Sequence, residues 1–500
     1  MNVLLINPPF KQKYGKFSRE QRSPAITKSG TLYYPMWLCY AAGALEQAGH
    51  TCKLIDAAAD GIDLNSLEER IGNYSARLIV VDTSTPSIHN DVEIAVELKK
   101  RYNAFVVLVG THPSSLPQQS LEIDTKIDAV AFGEYEHTLC ELAEVLEKNN
   151  FNPTEKNLKN VAGIAFRSDD QIVINQRRAF SDDLDSLPFV TSIYKKHLDY
   201  KKYFYSHSRC PIVTIITGRG CPFRCIYCVY PQVFSGHKPR FRSIKNVVDE
   251  IEYVLTEFPD LKEIMFEDDT LTINKQRCID FANEIITRKL KFKWSANSRA
   301  DVDLETMKML KKAGARLFCV GIESGVQSIL DNMKKNLTVE RIERFFKDAK
   351  KAGILIHGCF LVGNPGETKQ TLTETLKFAK RLNPDTAQFF PIMVYPGTKA
   401  FSWAVENNYL RTTDFNDWVT PEGLHNCVVN RPELTDGDLV SFCDRARTEF
   451  YLRPTYICRK LAAGLVHPGE FRRLFKGALH LSKHIWKGFL KNDISNSTCL

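Results

Sequence analysis

Short apolar, β-branched runs alternate with amphipathic segments through the first 150 residues. The runs NVLLIN, TCKLID, RLIVVD, AFVVLVG and AVAFGE predict strands, and helices are predicted over 36–49, near Leu64, from Ile88 and from Glu136. Strands that read as hydrophobic runs and alternate with helices form parallel sheets covered on both faces. We therefore expect residues 1–150 to form a doubly wound, Rossmann-like α/β domain that binds its ligands at the carboxyl ends of its strands.

The pattern changes after residue 150. AGIAFRSDDQIVINQ predicts a hairpin turning at 168–170, and DDLDSLPF predicts a linker, so that 151–205 separates two domains. A second alternation has six strand patterns, at 212–217, 261–268, 292–299, 316–323, 354–363 and 386–394. Six such units predict a partial (β/α)6 barrel of the TIM type over 206–400, two units short of the closed form. Residues 401–500 are predicted to be helical.

Composition narrows the functional classes. The net charge of +8 is modest for 500 residues, and no basic helix is interleaved with aromatic residues, so nucleic-acid binding is not expected. The apolar runs are shorter than a membrane span, and the amino terminus reads as a first strand rather than a leader. The 14 cysteines are scattered, which favours free thiols over a disulfide framework. We expect a cytoplasmic protein.

The strongest chemical signal is GRGCPFRCIYC at 218–228, directly after the first barrel strand. Cys221, Cys225 and Cys228 follow the spacing CxxxCxxC, and three thiolates can hold three irons of a cubane that needs four ligands. No fourth cysteine lies nearby, so one iron is left open for a substrate or cofactor. A zinc site, the alternative, prefers paired CxxC units with a fourth ligand. The motif therefore predicts a [4Fe–4S] cluster at the face where barrel active sites form.

This motif resembles that of the radical S-adenosylmethionine (SAM) superfamily. In that family SAM chelates the open iron, and one electron, supplied by a donor such as flavodoxin or ferredoxin, cleaves it to methionine and a 5′-deoxyadenosyl radical. The radical abstracts hydrogen from an inert carbon. The resemblance implies that Tyr227 contacts adenine and that residues at successive strand ends bind the rest of SAM. Asp268 or Asp269 would meet its amine, Arg299, on the strand that Ser295 and Asn297 also line, its carboxylate, and Glu323 and Ser324 its ribose.

The amino-terminal domain resembles the cobalamin-binding domain that precedes the barrel in one large radical SAM subgroup. Its strand ends carry NPP, TPS, a Gly-x-His-Pro turn and GExE. The resemblance implies cobalamin contacts from Pro8, Ser84, Ser87, Gly110, His112, Gly133 and Glu134. The Asp-x-His-x-x-Gly sequence that supplies a lower axial histidine is missing, and His112 is equally compatible with a polar loop residue.

The carboxyl-terminal tail is basic and apolar. Between Phe450 and Lys491 it carries the cations Arg459, Lys460, Arg472, Arg473, Lys476, Lys483, Lys487 and Lys491, with Glu470 as the only acid of that segment. Such a segment is typical of helices that lie on a membrane surface, which would bring the enzyme to the inner face of the membrane. A helix packed on the barrel is the alternative.

Together these features predict a radical SAM enzyme acting on an unactivated carbon of a nonpolar or lipid-linked small molecule. The layout is similar to subgroup members in hopanoid-lipid and tetrapyrrole biosynthesis, which implies cobalamin-dependent C-methylation or C–C ring formation and rearrangement. Two alternatives stay open. Methylthiotransferase-like sulfur insertion usually needs a second cluster motif, and the remaining cysteines form none; a non-enzymatic cobalamin or iron–sulfur sensor would have a closed fourth ligand.

Overall fold

The structure, a computed structural model, describes residues 1–466 except 12–15, 21, 28, 170 and 422. Its strands are β1 Asn2–Asn7, β2 Thr51–Asp56, β3 Leu78–Thr83, β4 Phe105–Gly110, β5 Ala129–Ala131, β6 Ile164–Ser168, β7 Gln171–Ile174, β8 Ile212–Ile215, β9 Gly218–Arg219, β10 Arg240–Phe241, β11 Glu263–Phe266, β12 Trp294–Ser298, β13 Ala315–Gly321, β14 Leu355–Val362 and β15 Thr386–Pro391.

The helices alternate with these strands. They are α1 Met36–Gln47, α2 Ala57–Asp60, α3 Leu64–Ile71, α4 Ile88–Tyr102, α5 Thr111–Ser115, α6 Pro117–Glu122, α7 Glu136–Lys148, α8 Glu155–Leu158, α9 Val190–His197, α10 Ile244–Glu257, α11 Lys275–Thr287, α12 Leu304–Lys312, α13 Gln327–Asn332, α14 Val339–Ala352, α15 Lys369–Leu382, α16 Lys399–Glu406, α17 Asp436–Tyr451 and α18 Pro454–Val466.

The first sheet has the strand order β2-β1-β3-β4-β5-β6-β7, and β1 to β5 are parallel. Successive side chains of β1 point to opposite faces: Val3 and Leu5 pack in one core with α1 and α7, and Leu4 and Ile6 pack in another with α3 and α4. Both faces are therefore covered, which explains the continuous apolar runs and confirms the doubly wound domain. The strand order reverses beside β1.

The predicted hairpin at 168–170 is present as β6 and β7. It pairs antiparallel with β5 and so extends the first sheet. Residues 151–205 were predicted to be a connection between two domains, whereas the first half of this segment completes the sheet of the preceding domain.

The second sheet contains six parallel strands in chain order, β8-β11-β12-β13-β14-β15. It confirms the partial barrel. A small antiparallel ribbon of β9 and β10 brackets the cysteine motif, and it was not predicted. Its strands have two residues each, which is too short for an apolar period to show.

The carboxyl-terminal part begins with α16 and ends with α17 and α18. Arg459 of α18 donates to the carbonyl oxygens of Asn383 and Pro384, and Lys460 pairs with Asp385 at 2.9 Å, so the start of the predicted tail packs against the barrel. The remaining tail, 467–500, lies outside the described residues. Among the described helices, none combines the length and apolar character needed to cross a bilayer.

Candidate functional site

A cavity of about 370 Å³ lies at the carboxyl ends of the barrel strands, facing the loop that precedes α1. The cavity is lined by Cys221, Cys225 and Cys228. Their loop follows a barrel strand, and loops in that position form the active-site face of such barrels. Their thiols are half-buried and free of disulfides. The donor set fits an iron–sulfur cluster with one open iron.

The backbone of the cysteine loop is held rigidly. Gly220 has a φ of 86°, and a Cβ there would lie 2.4 Å from the carbonyl oxygen of Lys238, so glycine is required. The Gln232 side-chain amide donates to the carbonyl oxygens of Cys225, Ile226 and Cys228 at 3.3, 3.1 and 2.8 Å. Gln232 lies on a single π-helical turn, Tyr230–Phe234. These contacts hold the backbone that carries the three cysteines.

Burial opposes ionisation of two of the three thiols. Burial raises the pKa of Cys221 and of Cys228, while Arg22 acts in the opposite direction on Cys228. Arg22 lies in the cavity wall, 3.4 Å from Asp269, and its side chain remains 40% exposed. Because iron binds thiolates, loading the site must release protons. Nothing in the local sequence pattern pointed to Arg22.

The two adjacent aspartates after β11 have different surroundings. Asp268 is buried and accepts hydrogen bonds from the backbone N–H and hydroxyl of Thr217, at 3.0 and 2.7 Å. Asp269 lines the cavity and accepts from the Gly220 N–H at 3.1 Å and the Ser235 hydroxyl at 3.0 Å. Asp268 thus anchors the end of β8, and Asp269 is the one that faces the cavity.

Glu323, Tyr227 and Lys335 form a connected group beside the cysteines. The Tyr227 hydroxyl donates to Glu323 Oε1 at 2.8 Å, and Lys335 Nζ lies 2.7 Å from the same oxygen and 3.0 Å from the Tyr227 hydroxyl. Burial opposes the charge of Lys335, but Glu323 and Cys225 act together in the opposite direction, so the pKa of Lys335 is raised. The group therefore carries a buried ion pair, and Lys335 was missed because it follows α13 in a segment with no motif.

Gly321 makes room for this group. A Cβ on Gly321 would lie 2.2 Å from Glu323 Oε1 and 2.8 Å from Lys335 Nζ. Glu323 itself has a φ of 67°, a conformation that costs about 1 kcal/mol or more for a residue with a side chain. The strained backbone directs its carboxylate back towards Tyr227.

The other residues predicted to bind SAM do not all reach the cavity. Arg299 lines it, but its guanidinium donates to the carbonyl oxygens of Lys335 and Asn336 and stacks 3.4 Å from the Phe223 ring centroid. Ser295 is the second residue of β12 and lies near the strand's amino end, where it contacts Ser208 and Met265. Ser324 is buried and bonded to Thr375.

The residues predicted to contact cobalamin do not line the cavity either. They are covered by other parts of the chain. The carbonyl oxygen of Pro8 accepts from Arg19 at 2.7 Å. Ser84 and Ser87 bond to each other at 2.8 Å, and Ser87 donates to Asp91, which forms a fully buried ion pair with Arg19. Pro8, Ser84 and Ser87 thus belong to a closed polar network at the strand ends.

Gly110 and His112 lie in a tightly packed turn after β4. A Cβ on Gly110, whose φ is 115°, would lie 2.1 Å from the Thr83 carbonyl oxygen. The His112 ring is 1% exposed, lies 3.3 Å from the Thr85 hydroxyl and packs edge-on against Phe415. Burial lowers the pKa of His112 to about 3, and His89 adds to the shift. His112 is therefore a neutral, packed side chain.

Gly133 and Glu134 lie against segments that follow the first domain. A Cβ on Gly133 would lie 3.0 Å from the Arg177 guanidinium. Glu134 pairs with Arg240 at 2.9 Å and with Arg219 at 3.2 Å, the two arginines of the β9–β10 ribbon. Glu134 thus joins the first domain to the cysteine loop.

An unpaired carboxylate at the carboxyl ends of the first sheet's strands fits a domain that binds a polar ligand there. Asp82, at the end of β3, is fully buried, and neither carboxylate oxygen has a hydrogen-bond partner among the described residues. Burial raises its pKa well above the usual range, although Arg19 opposes the shift. A ligand with hydrogen-bond donors at this edge could satisfy the Asp82 carboxylate.

Comparisons with known proteins agree with this architecture. Residues 215–379 match the radical SAM superfamily, and residues 22–143 match the B12 binding domain. An uncharacterized methyltransferase of Pyrococcus horikoshii is 29% identical over 483 residues, which make up 96% of this chain and 98% of that protein. The anaerobic magnesium-protoporphyrin IX monomethyl ester cyclase of Cereibacter sphaeroides is 31% identical over 428 residues, 84% of this chain and 67% of that protein.

A solved structure has the same fold. It is the radical SAM methyltransferase TsrM from Kitasatospora setae with its tryptophan substrate and a SAM analogue. The two chains are 21% identical, the match covers 82% of this chain and 77% of that one, and the TM-score is 0.66.

Proposed function

The chain belongs to the radical SAM superfamily, in the subgroup with an amino-terminal B12-binding domain, and from this we propose that it is a C-methyltransferase for an unactivated carbon of a nonpolar or lipid-linked small molecule. It is an enzyme of the cobalamin-dependent methyltransferase and cyclase family, and its cofactors are a [4Fe–4S] cluster, SAM and cobalamin. The observation that carries the proposal is the convergence of three free cysteines and a buried Glu–Tyr–Lys group on one cavity beside that domain.

The residues of the cavity have separable roles. Cys221, Cys225 and Cys228 would hold the cluster, which together with SAM supplies a radical able to abstract hydrogen from an inert carbon. The pKa of Tyr227 is raised by burial and by neighbouring Cys225 and Glu323, so the hydroxyl keeps its proton and donates a hydrogen bond to Glu323. That hydrogen bond orients the carboxylate for the hydroxyls of a ribose.

The proposed substrate class follows from the apolar part of the cavity lining. Leu361 on β14, Phe390 on β15 and Met393 just after it line the same cavity as the motif cysteines. A carbon held against these side chains would be shielded from water, which protects a radical from side reactions. We therefore expect a substrate whose reacting part is nonpolar.

Methylation is favoured over ring formation because a relative matched along nearly all of both chains is named as a methyltransferase. The match covers 98% of that Pyrococcus horikoshii protein and 67% of the Cereibacter sphaeroides cyclase. The 31% identity to that cyclase makes C–C ring formation the second candidate. In both cases the same cluster and SAM initiate the reaction.

The cluster assignment is tested by replacing Cys221, Cys225 and Cys228 together with alanine. After anaerobic reconstitution, the unmodified chain should bind about four irons, as one cubane requires, and should release 5′-deoxyadenosine from SAM and a reductant. The triple variant should do neither. Cys443→Ala, a buried cysteine of α17, is the matched control and should behave as the unmodified chain. A triple variant that keeps its full iron content would contradict the assignment.

The reaction type is tested with SAM carrying a deuterated methyl group, hydroxocobalamin and candidate lipids. Methylation transfers the label to the product, whereas ring formation gives a product that has lost hydrogen and carries no label. A chain that elutes from gel filtration without bound corrinoid, and yet forms product, would refute the cobalamin-dependent route.

A further inference from the structure

Three potential metal ligands lie together in the barrel interior, apart from the cysteine motif. The residues are His207, Cys319 and His357, and each has one ligand atom within 4.8 Å of a ligand atom of the other two. Among the described residues, no other histidine, cysteine or acidic side chains form such a group. All three line the cavity. His207 and His357 are 7% and 9% exposed, so the site is shielded from bulk water.

The fold determines this arrangement from three separate segments. Cys319 on β13 is paired in register with His357 on the neighbouring β14, so their side chains lie side by side on the inner face. His207 precedes β8 and is held there because Arg316 of β13 donates to its carbonyl oxygen at 2.6 Å. The two imidazole rings stack with centroids 5.2 Å apart. The trio is therefore positioned by backbone pairing and by packing.

The chemistry of the trio matches one class of metal. A thiolate and two imidazoles are the ligands that zinc and related thiophilic divalent ions prefer, and three protein ligands leave a fourth position open. His357 Nδ1 lies 2.7 Å from the Thr386 hydroxyl. This contact holds the orientation of the ring, and such outer partners are a regular feature of histidine ligands.

We propose that His207, Cys319 and His357 bind a divalent ion of the zinc class, with its fourth position directed into the cavity. That position would take a water molecule or an oxygen or nitrogen atom of the substrate, so the ion serves to hold the substrate opposite the motif cysteines. No redox change or group transfer at this ion is involved. The proposal does not depend on the iron–sulfur cluster, since none of its three residues belongs to the CxxxCxxC motif.

Zinc and cobalt binding test the proposal directly. The cluster-loaded chain and the variant lacking all three motif cysteines are each dialysed against zinc chloride, and bound zinc is measured by mass spectrometry. Both should hold about one zinc per chain, as a single three-ligand site predicts. Cobalt(II) in place of zinc should give a thiolate-to-cobalt charge-transfer band. Cys319→Ser and His357→Gln should each lose stoichiometric zinc and the band.

Two further variants guard against a general folding effect. Cys359→Ser alters a cysteine that lines the same cavity two residues beyond His357 on β14 but is not part of the trio, so zinc should remain bound. Thr386→Val should weaken zinc binding about 10–100-fold while circular dichroism is unchanged.

The possible results separate the two proposals. Zinc retained by Cys319→Ser, or lost only in the variant without the motif cysteines, overturns the zinc site. If the unmodified chain binds zinc normally but does not assemble a cluster, the result counts against the proposed function and leaves the zinc site intact.

Discussion

Lys335→Met isolates the buried charge beside the cysteine motif. Methionine keeps the length and apolar stem of lysine but removes the cation from Glu323 Oε1, 2.7 Å away. The side chains of Lys335 and Glu323 are 7% and 6% exposed. Removing one partner of a buried ion pair costs about 3–5 kcal/mol, because the remaining charge has little solvent to replace it.

The expected magnitude is somewhat smaller here. Glu323 retains the hydrogen bond from the Tyr227 hydroxyl at 2.8 Å, which offsets about 1 kcal/mol. We therefore expect Lys335→Met to lower the free energy of unfolding by about 2–4 kcal/mol. The double variant Glu323→Gln with Lys335→Met removes both charges, and it should be more stable than Lys335→Met alone.

Anaerobic urea unfolding and SAM binding by equilibrium dialysis measure the two consequences. Lys335→Met should shift the unfolding midpoint downwards and weaken SAM binding, since Glu323 loses the group that positions it. Glu340→Gln, an acidic residue at the start of α14, is a control that should change neither. A stability of Lys335→Met equal to that of the unmodified chain, or a double variant less stable than Lys335→Met, would refute the reasoning.

Three other substitutions test separate features. Gly321→Ala places a Cβ 2.2 Å from Glu323 Oε1. SAM binding should therefore be lost, while iron content and circular dichroism stay unchanged; unaltered SAM affinity would contradict the packing. Burial raises the pKa of Asp268 to about 6, above the value in the unfolded chain. The free energy of unfolding should therefore fall as pH rises from about 4 to about 6, by at most about 3 kcal/mol. Asp268→Asn should remove that part of the pH dependence of unfolding, and an unchanged slope would argue against it. Arg19→Met leaves Asp91 as a buried, uncompensated charge and should cost about 3–5 kcal/mol in urea unfolding, whereas a loss below about 1 kcal/mol would mean that the pair is not buried in solution.

The sequence was sufficient to predict the two sheets because their signals are local. Each strand of β1 to β5 and of the barrel is an apolar run of a few residues bounded by polar turns, and each run was found. The cysteine motif is equally local, since its three ligands lie within eight positions, 221–228. Features of this kind need no knowledge of which segments meet in space.

The failures come from contacts between distant segments. Ser295 was expected at a strand end together with Arg299. The two positions have the same parity, so they fit one alternation, but β12 ends at Ser298 and Ser295 lies near its start, four residues before Arg299. The period of a strand gives the face of a residue, and only the strand's bounds give its depth. Lys335 reaches Glu323 across a turn with no recognisable pattern, and Glu134 meets arginines that lie more than eighty residues away.

The contacts of Glu134 and Glu136 with the β9–β10 ribbon bear on how such proteins could be recombined. Arg219 pairs with Glu136 at 2.6 Å, and the Arg219 and Glu136 side chains are each 2% exposed. Residues 1–150 are therefore not an interchangeable module, because a graft from a family member without matching carboxylates would leave Arg219 and Arg240 buried without counter-charges. The penalty would fall on the ribbon that carries the iron ligands, so that a transplanted amino-terminal half would fail first in cluster assembly, even where each half folded on its own.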